Sequence, residues 1–154
     1  MFFIHKHAVP IERFKDVTYG KFECSVRTQK VDEPYRTRLV LGGNRIHCDF
    51  DVGTPTADML LVKILLNSTI STPLAKFMTI DISDFYLNTP LTRWEYVKLN
   101  MRDIPDEIIN EYNLKEKEVN GFVYVEVRKT IYGLPQSGLL SNELLQQNLA
   151  PFGY

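Results

Sequence analysis

Short apolar runs alternate with basic residues through the first fifty positions of the chain. The alternation is clear in residues 22–27 and again in residues 35–41, just before Gly42 and Gly43. Because side chains in a strand point alternately to the two faces of a sheet, both segments are predicted strands. The second strand is expected to turn at the two glycines.

A different period follows, with apolar residues at helical spacing between positions 59 and 66. Thr54 offers an N-cap, and Pro55 suits the first turn of a helix, where a backbone N–H has no partner to lose. The pattern therefore predicts a helix over residues 55–69. Pro73 prevents its easy continuation.

Residues 77–82 return to the period of a strand. Met78, Ile80 and Ile82 would share one face, and Asp81 would lie on the other. Asp81 is therefore expected at the end of a strand that apolar side chains anchor from behind.

The second half of the chain adds further elements, each marked by its own periodicity or turn residues. They are a short strand over residues 96–99, a helix beginning at Pro105, a hairpin turn at Asn120-Gly121, a half-buried strand containing Val123, Val125 and Val127, and a leucine-rich helix that follows residues 132–138 and ends near Pro151.

Composition indicates a globular chain. Hydrophobic residues make up 44% and charged residues 24%, close to the average for soluble domains. The formal net charge is -1, but residues 1–50 hold nine Lys/Arg against six Asp/Glu, and the remainder holds nine against thirteen. The basic first part could meet phosphates, and the acidic second part could hold metal ions.

Cys24 and Cys48 lack the spacing of a redox or zinc motif, so a reducing compartment is expected. The apolar opening at residues 1–4 is too short for a signal peptide, and Lys63 interrupts the apolar stretch around it. No targeting or membrane segment is expected.

Asp81 and Asp84 are the first candidates for chemistry. A carboxylate on a rigid strand end suits Mg²⁺, which demands near-octahedral oxygen geometry. Phosphoryl transfer would use such a ligand. Taken alone, however, carboxylates three residues apart at a strand end are also typical of turns and caps.

Three motifs resemble reverse transcriptases. Residues 81–91, Asp-x-x-Asp-Phe-Tyr-Leu-Asn-x-Pro-Leu, resemble motif A, and residues 132–136, Tyr-Gly-Leu-Pro-Gln, resemble the Tyr-Gly-Leu-x-Gln signature of copia-type retrotransposon enzymes. Residues 35–40, Tyr-Arg-Thr-Arg-Leu-Val, are similar to the basic fingers strand. The resemblance implies an α+β fold with fingers and partial palm, in which mixed, mainly antiparallel strands are flanked by helices.

The resemblance also implies a single reverse transcriptase fragment over residues 1–154. Fingers would cover about 1–76 and 98–133, and palm would cover about 77–97 and 134–154. The sequence has no Asp-Asp pair, so the chain is expected to end before the Tyr/Phe-x-Asp-Asp hairpin that completes the metal site. We therefore expect little or no polymerase activity from this chain alone.

Motif A implies specific roles. Asp81 would be the catalytic carboxylate on two Mg²⁺ ions, with the backbone carbonyl of Ile82 as a further ligand and Mn²⁺ as an alternative ion. Asp84 and Phe85 would lie beside the incoming triphosphate, chiefly through backbone N–H groups. Tyr86 would exclude a 2′-hydroxyl, although a tyrosine packed in a core is the alternative.

The other two motifs imply nucleotide contacts. Gln136 would touch the incoming sugar or the template, although it would equally serve as a helix entry. Arg36 and Arg38 alternate onto one strand face and would neutralise triphosphate or template phosphates, although an exposed basic face is the plain alternative.

The resemblance alone implies the function and the partners. The intact enzyme would be an RNA-directed DNA polymerase that uses an RNA or DNA template-primer and dNTPs, within a polyprotein that includes integrase and ribonuclease H. It would be intracellular, in a cytoplasmic virus-like particle or the nucleus. The alternatives are a catalytically inactive nucleic-acid-binding or structural remnant of a decayed retroelement, and an unrelated α+β domain.

Overall fold

The computed structural model describes residues 1–54 and 56–153, which contain one five-stranded sheet and several helices. Its strands lie in the spatial order β1-β5-β4-β2-β3, and neighbours are antiparallel except for the parallel pair β4 and β2. The α+β class and the mixed, mainly antiparallel sheet are thus confirmed. The strands are β1 (Phe2–Ile4), β2 (Thr18–Val26), β3 (Tyr35–Leu41), β4 (Pro90–Asn100) and β5 (Phe122–Lys129).

The described residues also contain four α-helices and several short 3₁₀ turns. The helices are α1 (Met59–Ser71), α2 (Asp106–Glu111), α3 (Leu114–Lys117) and α4 (Ser137–Leu149). The 3₁₀ turns are Lys6–Ala8, Ile11–Asp16, Gly43–Arg45, Met101–Asp103 and Ala150–Phe152. Across the part of the chain that the structure describes, no helix combines the length and apolar character needed to cross a membrane.

The main core lies on one face of the β4–β5 pair. Val123, Val125 and Val127 are 0%, 1% and 0% exposed, as their alternation with larger polar residues predicts. They pack with Val97 and Leu99 of β4 in one continuous cluster. Because burying one such side chain contributes roughly 1.5–3 kcal/mol, this cluster is the principal source of stability in the sheet.

Several other predictions are confirmed in type and shifted slightly in extent. The strands expected over residues 22–27 and 35–41 are β2 and β3, and the strand expected over 96–99 is the longer β4. Helix α2 begins directly after Pro105, and α4 follows the loop of residues 132–136. Strand β1 has no counterpart among the predictions, since its three residues are too few to show alternation.

The Asn120-Gly121 turn is also confirmed. Both residues have positive φ, 54° and 82°, as the tight turns of hairpins require. The N–H of Val119 donates to the carbonyl of Phe122 at 2.8 Å, so the turn closes on a single bridge.

The predicted start of the first long helix is wrong. Asp58, and not Thr54, is the N-cap of α1, because the Asp58 carboxylate accepts a hydrogen bond from the N–H of Leu61 at 2.8 Å. Thr54 lies instead against Gly138 at the start of α4. Pro55, the expected first residue of the helix, lies outside the described residues.

Helix α1 leaves its apolar side chains largely uncovered in the described chain. None of its residues is buried, and its large apolar side chains range from 37% exposed at Val62 to 85% exposed at Ile70. The spacing of apolar residues thus predicted a helix correctly, but the apolar residues that reveal it are not buried.

The strand predicted over residues 77–82 is also wrong. The segment is irregular, and Met78 and Ile80 are exposed. A strand needs a neighbour for its backbone groups, and every strand pairing described in the sheet is made by β1 to β5. Asp81 therefore lies on an exposed, irregular segment and not at a strand end.

Strands β2 and β3 form a ribbon that leaves the sheet. They pair with each other from Gly20 to Val26, whereas β2 pairs with β4 only at Thr18 and Tyr19. At the base of the ribbon, the N–H of Leu41 donates to the carbonyl of Tyr132 at 2.9 Å. The ribbon is thereby tied to the loop between β5 and α4.

Gly133 allows this close approach. Its φ is +94°, in the region that favours glycine, and a side chain at this position would collide with the backbone of Leu41. The glycine in the Tyr-Gly-Leu-Pro-Gln motif is thus required by the packing of the loop on β3.

We expect Gly133→Ala to lower the free energy of unfolding by about 2–4 kcal/mol, because it adds both a steric collision and left-handed strain. Gly121→Ala is the matched control, since Gly121 has a φ of +82° with nothing within 4 Å of the added Cβ. Its expected loss is about 1 kcal/mol, from strain alone. Denaturant unfolding of both variants measures the difference, and equal losses would show that the loop does not press on Leu41.

Candidate functional site

A cleft of about 260 Å³ lies between β3 and the turn at residues 84–87. Arg36 and Arg38 line it from β3, and Asp84 lines it from the turn. The structure thus brings three of the predicted site residues to one place. The other lining residues are Thr37, Leu39, Leu87, Ile131 and Tyr132.

Arg38 is a cation without an acidic partner. Within residues 1–54 and 56–153, neither Arg36 nor Arg38 forms an ion pair. The Nε of Arg38 is buried and lacks a hydrogen-bond acceptor. Because the two guanidinium groups outweigh the one carboxylate of Asp84 in the lining, an anion that entered the cleft would be attracted to it. The cleft is therefore suited to an anion.

The turn that forms the other wall is held by hydrogen bonds from the segment after β5. Asp84 has a φ of +52°, a conformation that aspartate tolerates better than most residues. The N–H of Asn88 donates to the carbonyl of Asp84 at 3.3 Å. The hydroxyl of Thr130 donates to the carbonyl of Tyr86, and the N–H of Thr130 donates to the carbonyl of Thr89 at 2.8 Å.

Aromatic rings connect this turn to the cleft. The rings of Tyr86 and Tyr132 lie 5.5 Å apart between centroids at 89°, an edge-to-face arrangement, and Phe85 packs against Tyr86 at 5.6 Å. Tyr86 is half-buried and does not belong to the buried core of the described residues. Its assignment as a sugar gate stays a prediction, as does the placement of Phe85 beside a triphosphate.

Gln136 belongs to a second, separate network. Its side chain is buried at the start of α4, where its Nε2 donates to Glu95 at 3.3 Å and its Oε1 accepts from the Cys48 thiol at 3.5 Å. Arg13 donates to the other oxygen of Glu95 at 2.7 Å. A small cleft of about 140 Å³ lies beside these groups, lined in part by Arg93. The contacts of Gln136 thus anchor the helix entry, and its role toward a nucleotide stays a prediction.

Glu95 is the buried charge at the centre of this network, with 2% of its side chain exposed. Burial raises the pKa of its carboxyl above the ordinary value, although Arg13 and Arg93 act in the opposite direction. Burial likewise raises the pKa of the Cys48 thiol, so this cysteine is not activated as a nucleophile.

Asp81 and Ile82 belong neither to the cleft lined by Arg36 and Arg38 nor to the network around Gln136. Both are exposed, and the Asp81 carboxylate makes no hydrogen bond or ion pair within the described ranges. In the same ranges, no group of three or more His, Cys, Asp or Glu side chains is placed to hold a metal ion. One carboxylate and one carbonyl are too few ligands for two Mg²⁺ ions, so the metal assignment stays a prediction.

Sequence reasoning missed three residues that organise these networks. Tyr132 stood in a recognised motif, but nothing indicated that its ring meets Arg38. Glu95 and Arg13 are far apart in sequence, and the pairing of the sheet brings them together. A lone glutamate between Trp94 and Tyr96 in an aromatic strand was the one available signal.

Comparisons with protein-family models, with curated proteins and with solved structures each gave no match. The assignment to copia-type reverse transcriptases rests on the three motifs alone.

The raised pKa of Glu95 makes stability depend on pH. Since the folded-state pKa lies above the unfolded value, the carboxyl contributes most below the unfolded pKa of about 4.3, and this contribution is lost as pH rises through the folded pKa. Glu95→Gln cannot titrate. We therefore expect the free energy of unfolding of the wild type, relative to Glu95→Gln, to fall as pH rises from 4 upward.

Denaturant titrations at a series of pH values measure this difference. Glu111→Gln, which removes a carboxylate from the exposed end of α2, controls for the loss of one negative charge. A wild-type advantage that grows with pH would mean that pairing with the arginines outweighs burial at Glu95.

Proposed function

We propose that this chain is a fragment of an RNA-directed DNA polymerase from a copia-type retrotransposon, and that its arginine-lined cleft binds the triphosphate of a dNTP. The observation that carries the proposal is the cleft itself, where Arg36 and Arg38 face the turn of motif A. Two motifs that are about fifty residues apart in sequence meet there, which supports a shared site.

The cleft has the chemistry for phosphate. A guanidinium presents several N–H donors in a planar fork, and it remains charged at any physiological pH. The guanidinium of Arg38 would donate to a phosphate oxygen, and Arg36, on the same strand, would add a second positive charge. Backbone N–H groups around Asp84 and Phe85 would reach the same ligand from the opposite wall.

In the intact enzyme, catalysis would be a two-metal nucleotidyl transfer. Mg²⁺, with Mn²⁺ as an alternative, would stabilise the charge that develops on the transferred phosphate. Asp81 and the carbonyl of Ile82 would supply two of the oxygen ligands. The remaining carboxylates would come from a Tyr/Phe-x-Asp-Asp hairpin, which this sequence does not contain.

The alternative is a catalytically inactive nucleic-acid-binding or structural remnant of a retroelement. It is favoured by the exposed position of Asp81 and by the lack, within the described residues, of an acidic cluster for a metal. In the intact enzyme the partners would be an RNA or DNA template-primer and dNTPs, and the neighbouring parts of the polyprotein would be integrase and ribonuclease H. Binding and catalysis therefore need separate tests.

Nucleotide binding tests the cleft. We expect the wild type to bind dTTP, and Arg38→Gln to weaken binding about tenfold or more, because a charge-assisted hydrogen bond contributes about 1.5–3 kcal/mol. Arg45→Gln, on an exposed 3₁₀ turn, is the matched control and should leave the Kd unchanged. Isothermal titration calorimetry gives the three constants. Equal Kd values for all three proteins would count against the cleft as the nucleotide site.

Primer extension tests catalysis. We expect this chain alone to extend no primer with Mg²⁺ or Mn²⁺, because one aspartate cannot hold two divalent ions against their repulsion. A gel-based extension assay on a primed RNA template, with a complete reverse transcriptase as the positive control, provides the measurement. Template-dependent extension that Asp81→Ala abolishes would contradict this expectation and would exclude the inactive remnant.

A further inference from the structure

The ring of Tyr132 connects the two walls of the arginine-lined cleft. On one side, the guanidinium carbon of Arg38 lies 5.1 Å from the ring centroid. On the other, Tyr86 meets the same ring edge to face at 5.5 Å. A single side chain thus contacts both the strand that carries the cation and the turn that faces it.

The backbone around Tyr132 fixes where this ring lies. Its carbonyl accepts a hydrogen bond at 2.9 Å from the N–H of Leu41, the last residue of β3. The next residue, Gly133, lies too close to Leu41 for any side chain. Since the loop is held at this point, the Cα of Tyr132 is fixed, and the contact with Tyr86 holds its ring from there.

A ring holds a cation differently from a carboxylate. The negative face of an aromatic ring attracts a guanidinium, but the ring carries no net charge and leaves the positive charge available to a ligand. Other arginines of this chain that lie over rings are also paired with acids: Arg128 with Glu126 at 2.7 Å, and Arg13 with Glu95 at 2.7 Å. Arg38 lies over a ring but forms no ion pair with any residue that the structure describes.

We propose that Tyr132 is the positioning residue of the cleft, which orients Arg38 toward an anionic ligand without neutralising it. This inference rests on the proposed function for the nucleotide that the cleft binds. The ring contacts both Arg38 and Tyr86, whereas the hydroxyl makes no hydrogen bond within the described residues, so the ring is required and the hydroxyl is dispensable. Tyr132→Phe should therefore behave as the wild type, and Tyr132→Leu should not.

The first test observes Arg38 directly and needs no ligand. In ¹H–¹⁵N spectra, the Nε–Hε signal of Arg38, assigned by its loss in Arg38→Gln, should be displaced by the ring current of Tyr132. The displacement should persist in Tyr132→Phe and disappear in Tyr132→Leu. An Arg38 signal at the position of exposed arginines in the wild type would overturn the inference, whether or not Tyr132→Leu folds.

The second test measures the Kd for dTTP in a double-mutant cycle. Tyr132→Leu should weaken binding about threefold to tenfold, the range of a cation–π contact that is partly desolvated. In the Arg38→Gln background, the same substitution should have no further effect, because its influence passes through Arg38. Tyr35→Leu, at an exposed ring on the same strand, is the matched control and should leave the Kd unchanged.

The outcomes separate the two proposals. If Arg38→Gln weakens binding but Tyr132→Leu does not, or if the two losses add, the positioning role is overturned and the nucleotide site stands. If the wild type binds no dTTP while Arg38 shows the ring-current displacement, the proposed function is overturned together with the role of Tyr132 toward a nucleotide.

Discussion

The hydrogen bond from Leu41 to the carbonyl of Tyr132 joins parts of the chain that are far apart in sequence. It is possible because Gly133 has no side chain, so the loop after β5 can lie directly on the backbone of β3. From this contact follow the position of the Tyr132 ring, the orientation of Arg38 above it, and the start of α4 a few residues later. Backbone packing thus forms the cleft, and the lining side chains give it its charge.

Two charged clusters near this loop differ in how fully their polar groups are paired. Around Glu95, a buried carboxylate meets Arg13 and Gln136, and its hydrogen-bonding capacity is filled by the protein itself. Around Arg38, a buried donor lacks a partner and the guanidinium forms no ion pair within the described residues. Since polar groups that already have partners gain little from a ligand, the cluster around Arg38 is the one available for binding.

Sequence periodicity predicted what local interactions decide. The alternating valines of β5, the strands of the ribbon, the Asn120-Gly121 turn and α4 all follow from side-chain spacing or turn chemistry. The strand expected around Asp81 failed because alternation cannot supply a hydrogen-bonding neighbour. The cleft was half predicted: Arg36, Arg38 and Asp84 came from motifs, whereas Tyr132 and the separate network of Gln136 depend on long-range packing that spacing does not encode.

The exposed apolar surface of α1 also affects the thermodynamics of unfolding. The heat capacity change and the denaturant dependence of unfolding both scale with the apolar surface that becomes newly hydrated. Helix α1 and the irregular segment that contains Ile80 are already hydrated in the folded chain, so their melting adds little to either quantity. Both quantities should therefore lie below those of a typical domain of 154 residues, and the curve of stability against temperature should be correspondingly flat.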